Sequence, residues 1–122
     1  MSTPTQSPPA TRTVSRLLAV GLPEQALTQA LRSDAGLAAG SLAATGFDHL
    51  DAPLLDRMRP DLVLAPLLGD GFDILDVAQA LTGLRYAGKL MAISPRLPNP
   101  RGVLAELRGH CKGFAVEIRQ ID

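Results

Sequence analysis

The stretch that decides the fold runs from Arg59 to Asp76 and reads RPDLVLAPLLGDGFDILD. After its aspartate, the segment Asp61 to Ala65 is continuously apolar, which is typical of a strand buried on both faces of a parallel sheet. A loop with two glycines follows, and apolar residues then recur at helical spacing from Ile74 to Leu84. The stretch therefore predicts a central strand followed by a helix.

The same alternation extends outward in both directions. We predict strands at 15–20, 40–45, 61–65, 89–94 and 114–119. The helices between them are predicted to begin near Pro23, Asp48, Ile74 and Pro100, where a proline or an acid suits the first turn. The resulting order, βαβαβαβαβ, favours a parallel sheet with helices on both faces.

Length and composition restrict the class of protein. The 122 residues are enough for one domain, and 46% are hydrophobic but only 3% aromatic, so the core should be aliphatic. Twelve basic and 12 acidic residues balance, and the basic ones are scattered, so we expect neither a nucleic-acid nor a membrane partner. A single cysteine excludes an internal disulfide. No membrane-length apolar run or secretory signal is visible, and a cytoplasmic location is the expectation.

The first 13 residues, MSTPTQSPPATRT, differ from the rest in composition. They are rich in Ser, Thr and Pro and offer almost nothing to bury, so they cannot repay the entropy of ordering. We expect residues 1–13 to form a flexible arm and residues 14–122 to form the α/β domain.

The stretch Arg59 to Asp76 resembles the third strand and following loop of receiver domains of the two-component response-regulator family. Those read Pro-Asp-Leu-Val-Leu, one apolar residue, the phosphorylated Asp, and a loop to Met-Asp-Gly. Segment 89–94 is similar to the family's fourth strand, whose terminal Ser or Thr is Ser94 here. The resemblance covers about residues 15 to 119 and is specific only in the middle third. It implies a flavodoxin-like, doubly wound α/β fold with strand order 2-1-3-4-5.

The departures from that family concern its phosphorylation site. Pro66 stands in the place of the phosphorylated Asp, and Gly21 and Leu22 stand where the family has two Mg²⁺-binding acids. The family's lysine would fall near Arg119 or Gln120, so only Ser94 of the switch residues remains. Because Mg²⁺ requires oxygen ligands, we expect a degenerate, phosphorylation-independent site with no catalytic residue, metal or cofactor.

The C-terminal strand differs from a receiver in a second way. The family has a fifth helix after this strand, and only three residues follow Arg119 here, so the last helix is expected to be missing. The strand alternates, with Phe114, Val116 and Ile118 on one face and Ala115, Glu117 and Arg119 on the other, as in a strand that is wet on one side. We expect this edge, and an apolar patch left uncovered on neighbours such as 17–20, to bind a second copy or another protein.

Other candidate residues have simpler explanations. Asp70, Asp73 and Asp76 surround a helix start, where they could bind a metal or partner or could only cap the helix. Ser94 and Arg96 could bind an anion at the carboxyl edge, although a turn serine and a solvated arginine are the simpler interpretation. His110 and Cys111 are adjacent and would face different directions, and no dinucleotide-binding or Walker pattern is present.

The sequence therefore predicts a non-catalytic, receiver-like protein-interaction module in bacterial signalling or regulation. The alternative is a small-molecule sensor or small enzyme that uses the carboxyl edge around Gly21, Pro66, Asp70 and Ser94. A third hypothesis is a domain that shares only the fold. A deep pocket with converging polar groups at that edge would favour the alternative, and a shallow edge with an apolar patch elsewhere would favour the module.

Overall fold

The computed structural model describes residues 16–38 and 40–121, and the expected arm at 1–13 lies outside them. Five parallel strands form one sheet in the order β2-β1-β3-β4-β5. They are β1 (Arg16–Val20), β2 (Ser41–Thr45), β3 (Leu62–Pro66), β4 (Lys89–Ser94) and β5 (Ala115–Gln120). This is the flavodoxin-like arrangement, and the expected strand order is confirmed.

Three of the five described α-helices begin directly after a residue whose side chain caps them. They are α1 (Glu24–Ser33), α2 (Ala35–Ala38), α3 (Ala52–Met58), α4 (Ile74–Gly83) and α5 (Pro100–Arg108). The side chain of Asn99 accepts a hydrogen bond from the N–H of Gly102 at 3.2 Å and caps α5. The expected helix start at Asp48 is wrong, because Phe47–His49 is a 3₁₀ turn and Asp51 caps α3 by accepting from the N–H of Leu54 at 3.0 Å.

Both faces of the sheet are covered, as a doubly wound fold requires. Helices α3, α4 and α5 pack on one face through Leu55, Val77, Leu81 and Leu107. On the other face, α1 and α2 bring Ala30 and Leu37 over apolar residues of the three central strands, namely Leu17, Leu62, Leu64, Met91 and Ile93. The site discussed below therefore lies at the end of a well-buried sheet.

Strand β5 lies at one edge of the sheet, and the described residues contain no helix after it. Its alternation is as expected, since Val116 is buried and Phe114 and Ile118 pack beside it on the α5 face. The opposite face carries an ion-pair strip. Glu117 binds Lys89 at 2.9 Å and lies 3.5 Å from Arg119, which also binds Asp34 at 3.2 Å.

The expectation of an uncovered apolar patch on β1 is wrong. Leu17 is 0% exposed and Val20 is also 0% exposed, so neither is available to a partner. Helices α1 and α2 cover Leu17 without a fifth helix, Val20 packs in the core on the opposite face of the sheet, and the polar strip on β5 occupies the remaining sheet edge. Any association through β5 must therefore use the strand's edge and charges rather than an apolar patch on β1.

Candidate functional site at the carboxyl edge of the sheet

The carboxyl ends of β1, β3 and β4 meet at one edge, where doubly wound folds commonly bind ligands. Of the residues that the sequence assigned to this edge, the structure brings Leu22, Pro66 and Ser94 together around one cleft, which Gly21 and Asp70 do not line. The cleft has a volume of about 430 Å³, and its other walls come from Pro23, Ala26, Gln29, Leu67, Leu68, Ile93, Pro95, Leu97 and Ile121. Among the described residues that line it, only Gln29 and Ser94 contribute polar side chains, so this part of the carboxyl-edge cleft is largely apolar.

The polar atoms of Ser94, which lines the carboxyl-edge cleft, are hydrogen-bonded within the protein. Ser94 is 1% exposed, and its hydroxyl donates to the carbonyl oxygen of Pro95 at 2.6 Å. The carbonyl of Ser94 accepts from the N–H of Ile121 at 2.8 Å, and the N–H of Leu67 donates to Ile93 at 2.9 Å. A hydroxyl and backbone held in this way do not present a nucleophile or an anion-binding group to the cleft.

An aromatic ring packs against Gly21, the position at which the resembled family has a Mg²⁺-binding acid. The ring of Phe72 lies against Gly21 and Gly69, so close that a Cβ on either glycine would overlap it. The ring is stacked on Phe47, with centroids 4.9 Å apart and planes 7° from parallel. Gly21 also has φ +60°, a conformation that a side chain disfavours.

The sequence did not lead us to place Phe47 and Phe72 at this edge, although their positions along the chain contained a signal for it. The chain has only three phenylalanines, and these two follow the ends of β2 and β3 beside glycines. Because the ends of parallel strands meet at one edge, their proximity could have been inferred. The contact with Gly21 could not, since it depends on the conformation of the loop after β3.

Two of the three aspartates after β3, Asp73 and Asp76, cap helix α4. The side chain of Asp73 accepts from the N–H of Asp76 at 3.0 Å, and that of Asp76 accepts from the N–H of Asp73 at 2.9 Å, which makes a reciprocal capping box. Asp70 is exposed on the loop and does not line the cleft. Within the described ranges, no three His, Cys, Asp or Glu residues are placed to hold a metal.

Arg96 lines a different hollow from Ser94. Its side chain is exposed and lines a neighbouring depression of about 390 Å³ together with Gln29, Arg32, Ser33, Gln120 and Ile121. We call this the basic depression. It shares Gln29 and Ile121 with the carboxyl-edge cleft, so the two hollows adjoin.

Two titratable groups elsewhere have perturbed pKa values. Burial raises the pKa of the Cys111 thiol, which keeps it protonated and makes it a weak nucleophile. Burial also raises the pKa of Tyr86, whose hydroxyl donates to the carbonyl of Lys89 at 2.8 Å and accepts its N–H at 2.9 Å. Both features are structural, and neither residue lines the carboxyl-edge cleft.

No protein-family model and no curated protein sequence matches the chain. The structure is similar to the signal receiver domain of the response regulator NarL from Mycobacterium tuberculosis, with a TM-score of 0.61 and 12% sequence identity. The match covers 87% of this chain and 85% of that one. At this identity the likeness establishes a receiver-like fold and nothing about activity.

Among the parts of the chain that the structure describes, no helix has the length and apolar character needed to cross a membrane.

Proposed function

We propose that this chain is a non-catalytic, phosphorylation-independent, receiver-like interaction module that acts in bacterial signalling or regulation in the cytoplasm. The observation that carries the proposal is the Phe72 ring packed against Gly21, where the resembled family places a metal-binding acid. Leu22 and Pro66, at the other two acid positions, also present carbon rather than oxygen to the cleft.

The chemistry follows from those three positions. Magnesium prefers carboxylate, carbonyl, water and phosphate oxygens in octahedral geometry. An acyl phosphate requires a carboxylate oxygen, and Pro66 has no side-chain oxygen to offer. Phosphoryl transfer at this edge therefore lacks both its acceptor and its metal ligands.

A labelling experiment tests this first part. The protein is incubated with acetyl phosphate and Mg²⁺, and separately with beryllofluoride and Mg²⁺, and is followed by intact mass and by amide NMR spectra. We expect no mass increase and no shift of the amides near Pro66. Stoichiometric labelling, or saturable Mg²⁺ binding at this edge, would contradict the proposal.

The interaction surface that we propose is the outer edge of β5, with Phe114, Val116, Glu117, Ile118 and Arg119 as the interacting residues. The N–H groups of Ala115 and Ile121 face β4, where they donate to Gly88 at 3.3 Å and to Ser94 at 2.8 Å. Because amides alternate along a strand, those of Val116, Ile118 and Gln120 face away from β4. An edge of this kind is a template for strand pairing with a second copy or another protein.

A proline at an outward-facing amide tests the edge without breaking the β4 ladder. Gln120→Pro removes one outward N–H, and Gln120→Ala is the matched control. Both variants lose the bond in which the Gln120 side chain accepts the N–H of Leu97 at 2.7 Å, but only proline removes the backbone donor. We expect light scattering to show association for the wild type and Gln120→Ala, and weaker association for Gln120→Pro.

The same pair of variants covers a heterologous partner. If the wild type is monomeric, partners captured by wild type and Gln120→Ala should be captured less by Gln120→Pro. A monomeric wild type whose partners are retained equally by all three proteins would disprove association through β5.

A second candidate function, a small-molecule sensor, is favoured by the carboxyl-edge cleft itself. Its volume of about 430 Å³ lies within the ordinary range for ligand sites, and apolar walls with few polar groups are typical of such sites. An enzyme is less well supported than a sensor, because the Ser94 hydroxyl is committed to the Pro95 carbonyl. A ligand that raises the melting temperature and shifts the amides of Leu22 and Leu97 would support the sensor.

A further inference from the structure

The carboxyl-edge cleft is aliphatic along most of its length and carries a polar side chain at one end. Leu67 and Leu68, which also line a hollow against α5, mark one end of the cleft. Gln29 and Ile121, which also line the basic depression, mark the other end. Pro23 and Gln29 both line the cleft, and they lie about 9 Å apart along α1 because a helix rises about 1.5 Å per residue. A chain-like molecule of that length would lie against aliphatic walls and end at the carboxamide of Gln29.

Gln29 is the polar group that the fold leaves available to a ligand. The other polar side chain among the described lining residues is Ser94, and its hydroxyl already donates to the carbonyl of Pro95 at 2.6 Å. The side chain of Gln29 is half-buried, and no hydrogen bond joins it to another residue in the described ranges. A carboxamide presents both N–H donors and a carbonyl acceptor. A ligand group that offers an acceptor and a donor in return therefore matches it best.

The lining of the cleft disfavours charged ligand groups. None of the described residues that line it is charged. The arginines of the basic depression, Arg32 and Arg96, do not line the cleft, and Arg96 is already engaged in an interaction of its own. A carboxylate only accepts hydrogen bonds and an ammonium only donates them, so either would satisfy half of the Gln29 carboxamide while losing water against aliphatic walls. A primary carboxamide exchanges one N–H···O bond with Gln29 in each direction.

We propose that the carboxyl-edge cleft binds an uncharged aliphatic carboxamide, with its alkyl chain between Leu22, Ala26 and Leu97 and its head group paired with the carboxamide of Gln29. The proposal rests on the sensor function given above as the second candidate and does not depend on association through β5. The alkyl chain supplies affinity because it leaves water for apolar walls, and Gln29 selects the head group. Nucleobases are a poor fit because none of the described lining residues is aromatic.

Three probes of the same shape test the site by calorimetry and amide NMR, namely octanamide, 2-nonanone and octanoate. They share one alkyl chain and one carbonyl carbon, and they differ only in whether that carbon carries an amide nitrogen, a methyl group or a second, charged oxygen. Octanamide should bind saturably at one site, and octanoate should bind more weakly. Octanamide should also shift the side-chain N–H resonances of Gln29 together with the backbone amides of Ala26 and Leu97.

A substitution at Gln29 separates the head group from the chain. Gln29→Leu should weaken octanamide about fivefold, because two hydrogen bonds are lost, and 2-nonanone only about twofold, because one is lost. Comparing each probe with itself across the two proteins removes the difference in how strongly the probes are hydrated. Gln25→Leu is the matched control, since Gln25 is an exposed glutamine of the same helix that lines neither hollow, and it should change neither affinity.

Filling the cleft tests whether the probes bind there. Ala26→Trp should abolish binding of octanamide and 2-nonanone, because the indole occupies the space of the alkyl chain. If the tryptophan variant does not fold by circular dichroism, Leu97→Asp should have the same effect by placing a charge against the chain.

The outcomes distinguish the failure of this proposal from the failure of the sensor function. Equal weakening of octanamide and 2-nonanone by Gln29→Leu, or octanoate binding as tightly as octanamide, would overturn the carboxamide. If Ala26→Trp or Leu97→Asp still abolished binding in that case, the cleft would stand as a ligand site. The absence of saturable binding by all three probes would overturn both the carboxamide and the sensor.

Discussion

Replacing Gly21 with aspartate should destabilise the protein rather than rebuild a metal site. The position corresponds to an acid in the resembled family, but here its φ is +60° and the Phe72 ring occupies the space of a Cβ. A side chain at position 21 must therefore adopt a left-handed conformation and push the ring away. Both changes cost free energy, and neither is offset by a metal, because Pro66 and Leu22 still lack oxygen ligands.

The size of the effect can be worked from the contacts. A left-handed residue costs about 1 kcal/mol for an aspartate, which tolerates this region better than most. Displacing Phe72 from its stack on Phe47, at 4.9 Å between centroids, loses about 1 kcal/mol of ring interaction. Exposing the half-buried Phe72 side chain loses about 1 kcal/mol more. The free energy of unfolding should therefore fall by about 3 kcal/mol.

Urea denaturation followed by circular dichroism measures this loss, and two other variants separate its causes. Gly71 has φ +86° but nothing within 4 Å of a Cβ, so Gly71→Asp should show only the conformational cost, about 1 kcal/mol. In a Phe72→Ala background, Gly21→Asp should likewise cost only about 1 kcal/mol, because the ring is gone. The reasoning is refuted if Gly21→Asp costs no more than Gly71→Asp, or if the Gly21 and Phe72 substitutions are additive.

Three further predictions concern the supports of the fold. Asp73→Ala should lower the free energy of unfolding by about 1 kcal/mol through loss of the capping box, while Asp70→Ala in the exposed loop should change it by less than about 0.5 kcal/mol; equal effects in urea denaturation would contradict the capping role. Burial raises the pKa of Tyr86 above its ordinary 10.0. The neutral Tyr86 hydroxyl therefore makes its full contribution to the free energy of unfolding below about pH 10. That contribution is lost as pH rises further, by up to about 1.4 kcal/mol per pH unit. Tyr86→Phe should be less stable at neutral pH but lose less between neutral and strongly alkaline pH, and an unchanged alkaline loss in thermal melts would be inconsistent with the burial of Tyr86. Glu117→Gln should cost less than about 1 kcal/mol, with the difference shrinking at high salt, because its ion pair with Lys89 is half-exposed; a larger, salt-independent loss would mean that the pair acts as a buried one.

Most of the fold could be predicted because its signals are local. The continuously apolar run after Asp61 identifies β3, and Pro100 begins α5 as its missing N–H allows. Strand β4 has the predicted bounds, Lys89 to Ser94, because Gly88 precedes it and residues 90–93 are all apolar. The start of α3 was wrong because two polar residues compete, and Asp51 with its hydrogen bond to Leu54 prevails over Asp48.

The candidate site was only partly predictable because its decisive contacts are not local. The sequence identified Pro66, Leu22 and Ser94 as neighbours, since each lies at the carboxyl end of a strand or directly after it. It could not show that Phe72 lies against Gly21, because that contact depends on the path of a loop rather than on any periodicity. For the same reason, the coverage of Leu17 by α1 and α2 was missed, since the angle of a helix on a sheet is set by packing.

The two surfaces proposed for this protein share a structural connection. Ile121 lines the carboxyl-edge cleft and donates its N–H to the carbonyl of Ser94 at 2.8 Å, directly after the end of β5. Leu97 lines the same cleft and donates its N–H to the side chain of Gln120, the last residue of β5, at 2.7 Å. A ligand in the cleft would thus touch residues that hold the end of the strand at which a partner would pair. If a small molecule in the cleft changes the affinity of association at β5, association must change the affinity for the small molecule by the same factor, because the coupling free energy is common to both equilibria. Titrating each ligand in the presence of the other measures that factor from both sides.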